Sequence, residues 1–163
     1  MPAATDDVSD LVQRTYTTVL RYFVDHGEPP HYTRLASLLD VAPVEARVAV
    51  HDASAVGLGC WVTDGTDYIG SFAPFHGTPT QYRIVVDDSP HWYAQCGLES
   101  FGVRWMFPGR EVRIEASDLV TGEPITVRFD RDGALVAVDP DTTIGYINTP
   151  MWKWATVENT AHL

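Results

Sequence analysis

Cysteine is scarce in this chain: Cys60 and Cys96 are the only two among 163 residues. Two thiols cannot build a disulfide scaffold, and a four-cysteine metal site is excluded. Zinc held by Cys96 with His76, His91 or Glu99 would be chemically reasonable, but no dense ligand spacing accompanies those residues, and no metal or other cofactor is expected. Positive charge is equally short, with 11 basic against 22 acidic residues and a net charge of −11. The deficit is spread along the chain: residues 1–90 carry 5 basic and 12 acidic groups, residues 91–163 carry 6 and 10. Neither part offers the positive field that a phosphate backbone requires, so nucleic acid is not an expected partner. Apolar runs are short as well, and none approaches the roughly 18 residues needed to cross a bilayer. The opening MPAATDDVSD lacks the basic region and apolar stretch of a secretory signal, so a soluble cytoplasmic protein with no membrane partner is expected.

What is present suffices for a folded core. At 45% hydrophobic content, the chain can form one domain, or a small and a medium one. Residues 10–24 place Val12, Tyr16, Val19, Leu20 and Phe23 on one face of a helix, which Gly27 and the Pro29-Pro30 pair end. Thr33 is suited to cap a second helix through Leu39, and Pro43 to the first turn of a third carrying Val44, Val48 and His51. The segment Cys60–Ile69 reads as a hairpin around the turn-prone DGTD. Three helices and a hairpin have the layout of a winged helix. Its third helix, however, offers only Arg47 and His51 against Glu45 and Asp52, which argues against DNA reading. From residue 80 the pattern changes to strands at Gln81–Val86, Arg110–Ala116, Ile125–Phe129, Leu135–Val138 and Thr143–Ile147, with a tight turn at Thr121–Pro124. Tyr93–Phe101 reads as a buried helix. The expected fold class is α+β. A winged-helix-like three-helix bundle with a hairpin (residues 1–79) precedes a small mixed β-sheet domain with a central helix (residues 80–163).

The chemistry concentrates in HWYAQCGLES. Residues three apart on a helix share a face, so Cys96 and Glu99 can approach one ligand. A thiolate suits a soft metal or an electrophilic carbon. A carboxyl in an apolar surround can deliver or remove a proton, and Trp92, Tyr93, Leu98 and Phe101 supply such a surround. The alternative is plain: free cysteine is often buried filler, and Glu99 then caps a helix or faces solvent. His91, just before this segment, either orients Glu99 or a ligand or is a surface turn residue. His76, in PFHGTPTQY, either rims a pocket or belongs to an ordinary loop. Arg104 either receives an anionic group or pairs with one of the 22 acids. Met151, Trp152, Trp154 and Val157 form an apolar cluster that either seals a site or serves as core or dimer contacts.

The run WYAQCGLES resembles the active-site segment of the alkylmercury (organomercurial) lyase family, in which an aromatic-rich stretch leads into cysteine-x-x-aspartate. The resemblance continues through FPGREVRIEASDLVTGEPITVRF and LVAVDP, and more weakly back into the three helices and hairpin. It implies the α+β fold of that family and a lyase that splits carbon–mercury bonds. In such a lyase one cysteine takes the metal, a second shares it, and the aspartate handles the proton passed to the departing carbon. Cys96 falls on the first cysteine and Glu99 on the aspartate, one methylene longer. The second cysteine has no counterpart, because the matching segment NTAHL places Thr160 there and His162 on the family's histidine. Threonine is no soft ligand, so the two-thiolate capture of mercury is missing.

The expectation is therefore a cofactor-independent, lyase-like enzyme in a specialised biosynthetic pathway. Cys96 and Glu99 would carry proton transfer on a small organic molecule, by elimination, cyclisation, isomerisation or hydrolysis, with His91, Trp92, Tyr93, His76 and Trp152 as substrate contacts. An organomercurial lyase of reduced or altered activity and a non-catalytic ligand- or soft-metal-binding module are the alternatives. A homodimer is compatible with either.

Overall fold

The computed structural model of the protein describes residues 9–57 and 59–145. The chain divides into two compact units between Phe72 and Ala73.

The first unit contains α1 (Asp10–His26), α2 (Tyr32–Leu39) and α3 (Pro43–Val56). The start of α1 is fixed by the Ser9 hydroxyl, which accepts the Val12 N–H. Its end is fixed by Gly27 at φ 77°, a left-handed cap whose N–H returns to the Phe23 carbonyl. Val12, Thr15, Val19 and Phe23 recur at helical spacing and are buried, as are Leu35, Leu39, Ala46, Ala49, Val50 and Ala53 on the other two helices. The cap of α2 is His31 rather than Thr33; the imidazole accepts the Thr33 N–H. Pro43 opens α3 as expected, and Glu45 accepts the Ala42 N–H at 2.9 Å. Two short antiparallel strands, β1 (Trp61–Val62) and β2 (Ile69–Phe72), form the hairpin.

The second unit is a twisted antiparallel sheet of β3 (Phe75–His76), β4 (Tyr82–Val86), β5 (Ser89–Ala94), β6 (Val112–Ser117), β7 (Pro124–Phe129) and β8 (Leu135–Asp139). Their order in space is β3-β5-β4-β6-β7-β8. Side chains alternate across such a sheet. Ile84, Val86, Trp92, Ala94, Val112, Ile114, Val127 and Phe129 line the buried face. The opposite face carries Arg83, Arg113, Glu115 and Arg128, with Arg113–Glu115 at 3.0 Å and Arg83–Glu115 at 3.4 Å. The short helix α4 (Gly97–Gly102) and the 3-10 turn after it (Val103–Met106) cover the buried face. Phe101 meets Phe129 edge-on at 5.6 Å, and Phe107 meets Trp92 at 4.7 Å. Between β6 and β7 the expected tight turn is present. Asp118 accepts the Val120 and Thr121 N–H groups, and Gly122 takes φ 73°.

The three helices, the hairpin and the sheet with its helix agree with the expected α+β class. Two expected elements differ. The helix expected over Tyr93–Phe101 is strand as far as Ala94 and helix only from Gly97. Trp92, Tyr93 and Ala94 pair with Ile84, Arg83 and Tyr82, so their aromatic bulk is used across a ladder rather than around a helix. Thr143–Gly145 form no strand, and the remainder of that expected strand lies outside the described residues.

Candidate active site

Cys96 sits at the corner where β5 gives way to α4. Its backbone is extended (φ −145°, ψ 173°), and its Sγ accepts the Glu99 N–H at 3.5 Å as the helix N-cap. Cys96 and Glu99 therefore meet as the cap residue and the third helical residue, not as two neighbours on a helix face. That geometry aims a side chain at the third position back toward the cap, as in a capping box. Here the thiol and the Glu99 carboxyl are close enough to influence each other's ionisation. Around them, the Ser100 N–H donates to the Cys96 carbonyl and the buried Ser100 hydroxyl to the Gly97 carbonyl at 2.7 Å. Cys96 is only 7% exposed. Cysteine is not a favoured N-cap, so helix initiation alone does not account for a thiol at this position.

Burial dominates the electrostatics. It pushes the Glu99 carboxyl up to about 7, against a smaller pull in the other direction from the neighbouring Cys96 thiol. The Cys96 thiol is also raised, first by burial and then by the neighbouring carboxylate, while the Glu99 and Leu98 N–H groups act in the opposite sense. Near neutral pH the corner thus holds a protonated thiol beside a carboxyl close to half-ionised. This is a pair between which one proton can move.

Tyr82, on β4 opposite Ala94, reaches the same corner. Its phenol is raised by burial and by the proximity of Cys96, against smaller pulls from the Gln81 side chain and the Gly97 backbone, and it packs closely on Gly97. It was not singled out in the sequence. The alternation that puts Tyr82 with Ile84 and Val86 on the buried face is the signal that would have drawn attention to it.

The other expected site residues are dispersed. Trp92 is buried on the sheet's inner face, against Phe107. Tyr93 follows it in the strand and so points to the opposite face, paired in register with Arg83. His91 is exposed, its ring edge-on to Trp92 at 5.7 Å. His76 is in β3 rather than in a loop between domains, and its Nδ1 is engaged by Thr78. Trp152, Thr160 and His162 lie outside the described residues. Arg104 has no carboxylate partner among the described residues; it donates to the Gly133 carbonyl and stacks over Trp105 and Phe129. Cys60 belongs to the first unit, half-buried with its Sγ 4.0 Å from the Tyr16 hydroxyl. No group of three or more His, Cys, Asp or Glu residues suited to a metal ion occurs among the described residues.

The family model for alkylmercury lyase (MerB) matches residues 75–161, more than half of the chain. The chain belongs to the alkylmercury lyase family. The matched span contains β4, β5 and α4, hence Tyr82, Cys96 and Glu99. Among solved structures, the mercury-bound form of MerB2 is similar, with a TM-score of 0.60 and 18% identity, covering 82% of this chain and 69% of that one. At that identity the likeness is one of fold. No curated protein matches the chain. Membership in the alkylmercury lyase family gives the protein a general lyase-like, enzymatic character. The low identity to MerB2 is consistent with a divergent member.

Proposed function

We propose that this divergent member of the alkylmercury lyase family is a cofactor-independent, lyase-like enzyme acting on a small organic molecule. Cys96 serves as its nucleophile and Glu99 as its proton-transfer group. The observation that carries this reading is the buried Cys96 thiol at the start of α4, bonded by the Glu99 N–H and neighbouring the Glu99 carboxyl, whose proton affinity burial raises. As the sulfur bonds to an electrophilic centre, the Glu99 carboxylate takes the thiol proton. The same carboxyl then returns it to the carbon that departs or rearranges. Elimination, cyclisation, isomerisation and hydrolysis all fit that sequence of transfers. Organomercury cleavage fits less well, because Thr160 stands at the family's second cysteine position and Cys60 is the only other thiol in the chain.

A second reading, organomercurial lyase of reduced activity, is favoured by the family match and by the mercury-bound state of the similar structure. The test is to incubate the protein separately with phenylmercury and with small metabolites made by products of neighbouring genes, following products by mass spectrometry. The proposal expects turnover of an organic substrate, lost in Cys96→Ser and in Glu99→Gln. Efficient multiple-turnover release of benzene from phenylmercury, with no organic substrate consumed, would establish the second reading instead. Stoichiometric binding of a metabolite without turnover would make the site a binding module.

A further inference from the structure

The winged-helix layout of the first unit carries a surface that the chemistry at Cys96 does not use. In such a layout α3 is the helix that would be presented to DNA. Its outward side is divided. Arg47 and His51 are engaged by Asp67 in the hairpin turn, at 2.6 and 3.5 Å, which leaves the side toward α1 without cations. That side is apolar instead. Val44, Val48 and Asp52 follow one another four residues apart, in one line about 12 Å long along the helix. With α1 this line borders a groove of about 270 Å³, floored by the buried Val12 and Ala49. Val44 is 66% exposed and Val48 54%, two branched apolar side chains left to water on adjacent turns. The groove's polar lining is negative. Glu45 gives one carboxylate oxygen to the Ala42 N–H, and Asp52 has no hydrogen bond or ion pair among the described residues.

We propose that this groove docks an amphipathic helix of a partner protein, with apolar side chains seated on Val44 and Val48 and a lysine or arginine set against Asp52. Helix-in-groove recognition uses anchors one turn apart, and the line from Val44 to Asp52 suits two turns of such a helix. Charge decides which partner fits. Acidic partners and phosphate backbones are repelled by Glu45, by Asp52 and by the net charge of −11. A second copy of this chain is opposed in the same way, because a two-fold contact across the groove would set these carboxylates against their own counterparts. A basic helix with one apolar face meets both the unpaired carboxylate and the exposed valines. The surface is independent of the roles given to Cys96 and Glu99.

The experiment uses the whole chain and a fluorescein-labelled peptide of leucine and lysine with its leucines at helical spacing, read by anisotropy at physiological salt. A peptide of the same composition with the leucines scrambled is the control for charge alone. Val48→Asp removes the apolar wall and adds a negative charge, so the two explanations of binding part company. Docking in the groove predicts binding weakened by about tenfold or more, as loss of a central contact does, whereas attraction by charge alone predicts tighter binding. Asp52→Asn should weaken binding about threefold and flatten its salt dependence, a test that stands even where Val48→Asp does not fold. Val136→Asp, at a valine of similar exposure on β8, should leave the affinity within about twofold. Equal affinity for the scrambled peptide, unchanged or tighter binding by Val48→Asp, or no binding of either peptide overturns the proposal. Self-association of the protein that Val48→Asp abolishes also overturns it, and makes a second copy the occupant.

Discussion

Glu99 couples the protonation of the site to the stability of the fold. Its carboxyl titrates at about 7 when folded, against an ordinary value of 4.5. Between those two values the folded chain holds a proton that the unfolded chain has lost, so this residue makes stability fall as pH rises from about 4.5 to about 7. Above that window the full cost of a buried carboxylate is present, of order 3 kcal/mol at most. Glu99→Gln has no such charge. Its melting temperature should therefore rise relative to the unmutated protein as pH is taken from about 4.5 to about 8, as measured by circular dichroism; an unchanged difference across that range would show that the carboxyl is not buried as described. The proximity of Cys96 to Glu99 was legible from residue type and spacing, though they meet as cap and third helical residue and not as neighbours on a helix face. Alternation along β4 puts Tyr82 on the buried face, but its proximity to Cys96 was not legible, because that arises from the long-range register of β4 on β5.

The start of α4 separates the structural from the chemical part of the thiol's role. Serine is among the best N-caps and alanine among the worst, a difference of about 1 kcal/mol. Cys96→Ser should hold the melting temperature near that of the unmutated protein while abolishing covalent chemistry. Cys96→Ala should lose the chemistry and be about 1 kcal/mol less stable than Cys96→Ser, read by urea denaturation. If serine restored turnover, the sulfur would be only a cap. At this scale the helices of the first unit were readable, since Gly27 and Pro43 mark boundaries through backbone geometry. Of the helix expected over Tyr93–Phe101, the part before Gly97 was misread, since aromatic residues satisfy both periods and the choice was made by the pairing of Tyr93 and Ala94 with Arg83 and Tyr82. Arg47 and His51, the two potential DNA-contacting groups of α3, are both drawn to Asp67 in the hairpin turn, at 2.6 and 3.5 Å. Fluorescence anisotropy with a defined duplex at physiological salt should show no nanomolar binding; such binding would turn the winged-helix layout into a regulator's.

For the molecule as a whole, a net charge of −11 and membership in the alkylmercury lyase family favour a small-molecule enzyme over a nucleic-acid partner. The family was legible because WYAQCGLES and the glycine–arginine and TGEP segments carry local chemistry and turns. The substrate was not, because a cysteine beside an acid serves several reaction classes alike. What the account requires most directly is that Cys96 and Glu99 act as one unit. The deciding measurement is the rate of Cys96 modification by methyl vinyl ketone from about pH 5 to about pH 9, in the unmutated protein and in Glu99→Gln. The unmutated rate should rise through about pH 7, where Glu99 becomes able to accept the thiol proton, and Glu99→Gln should lack that rise and react only at higher pH, as its buried thiol ionises unaided. Superimposable pH profiles for the two proteins would contradict the account.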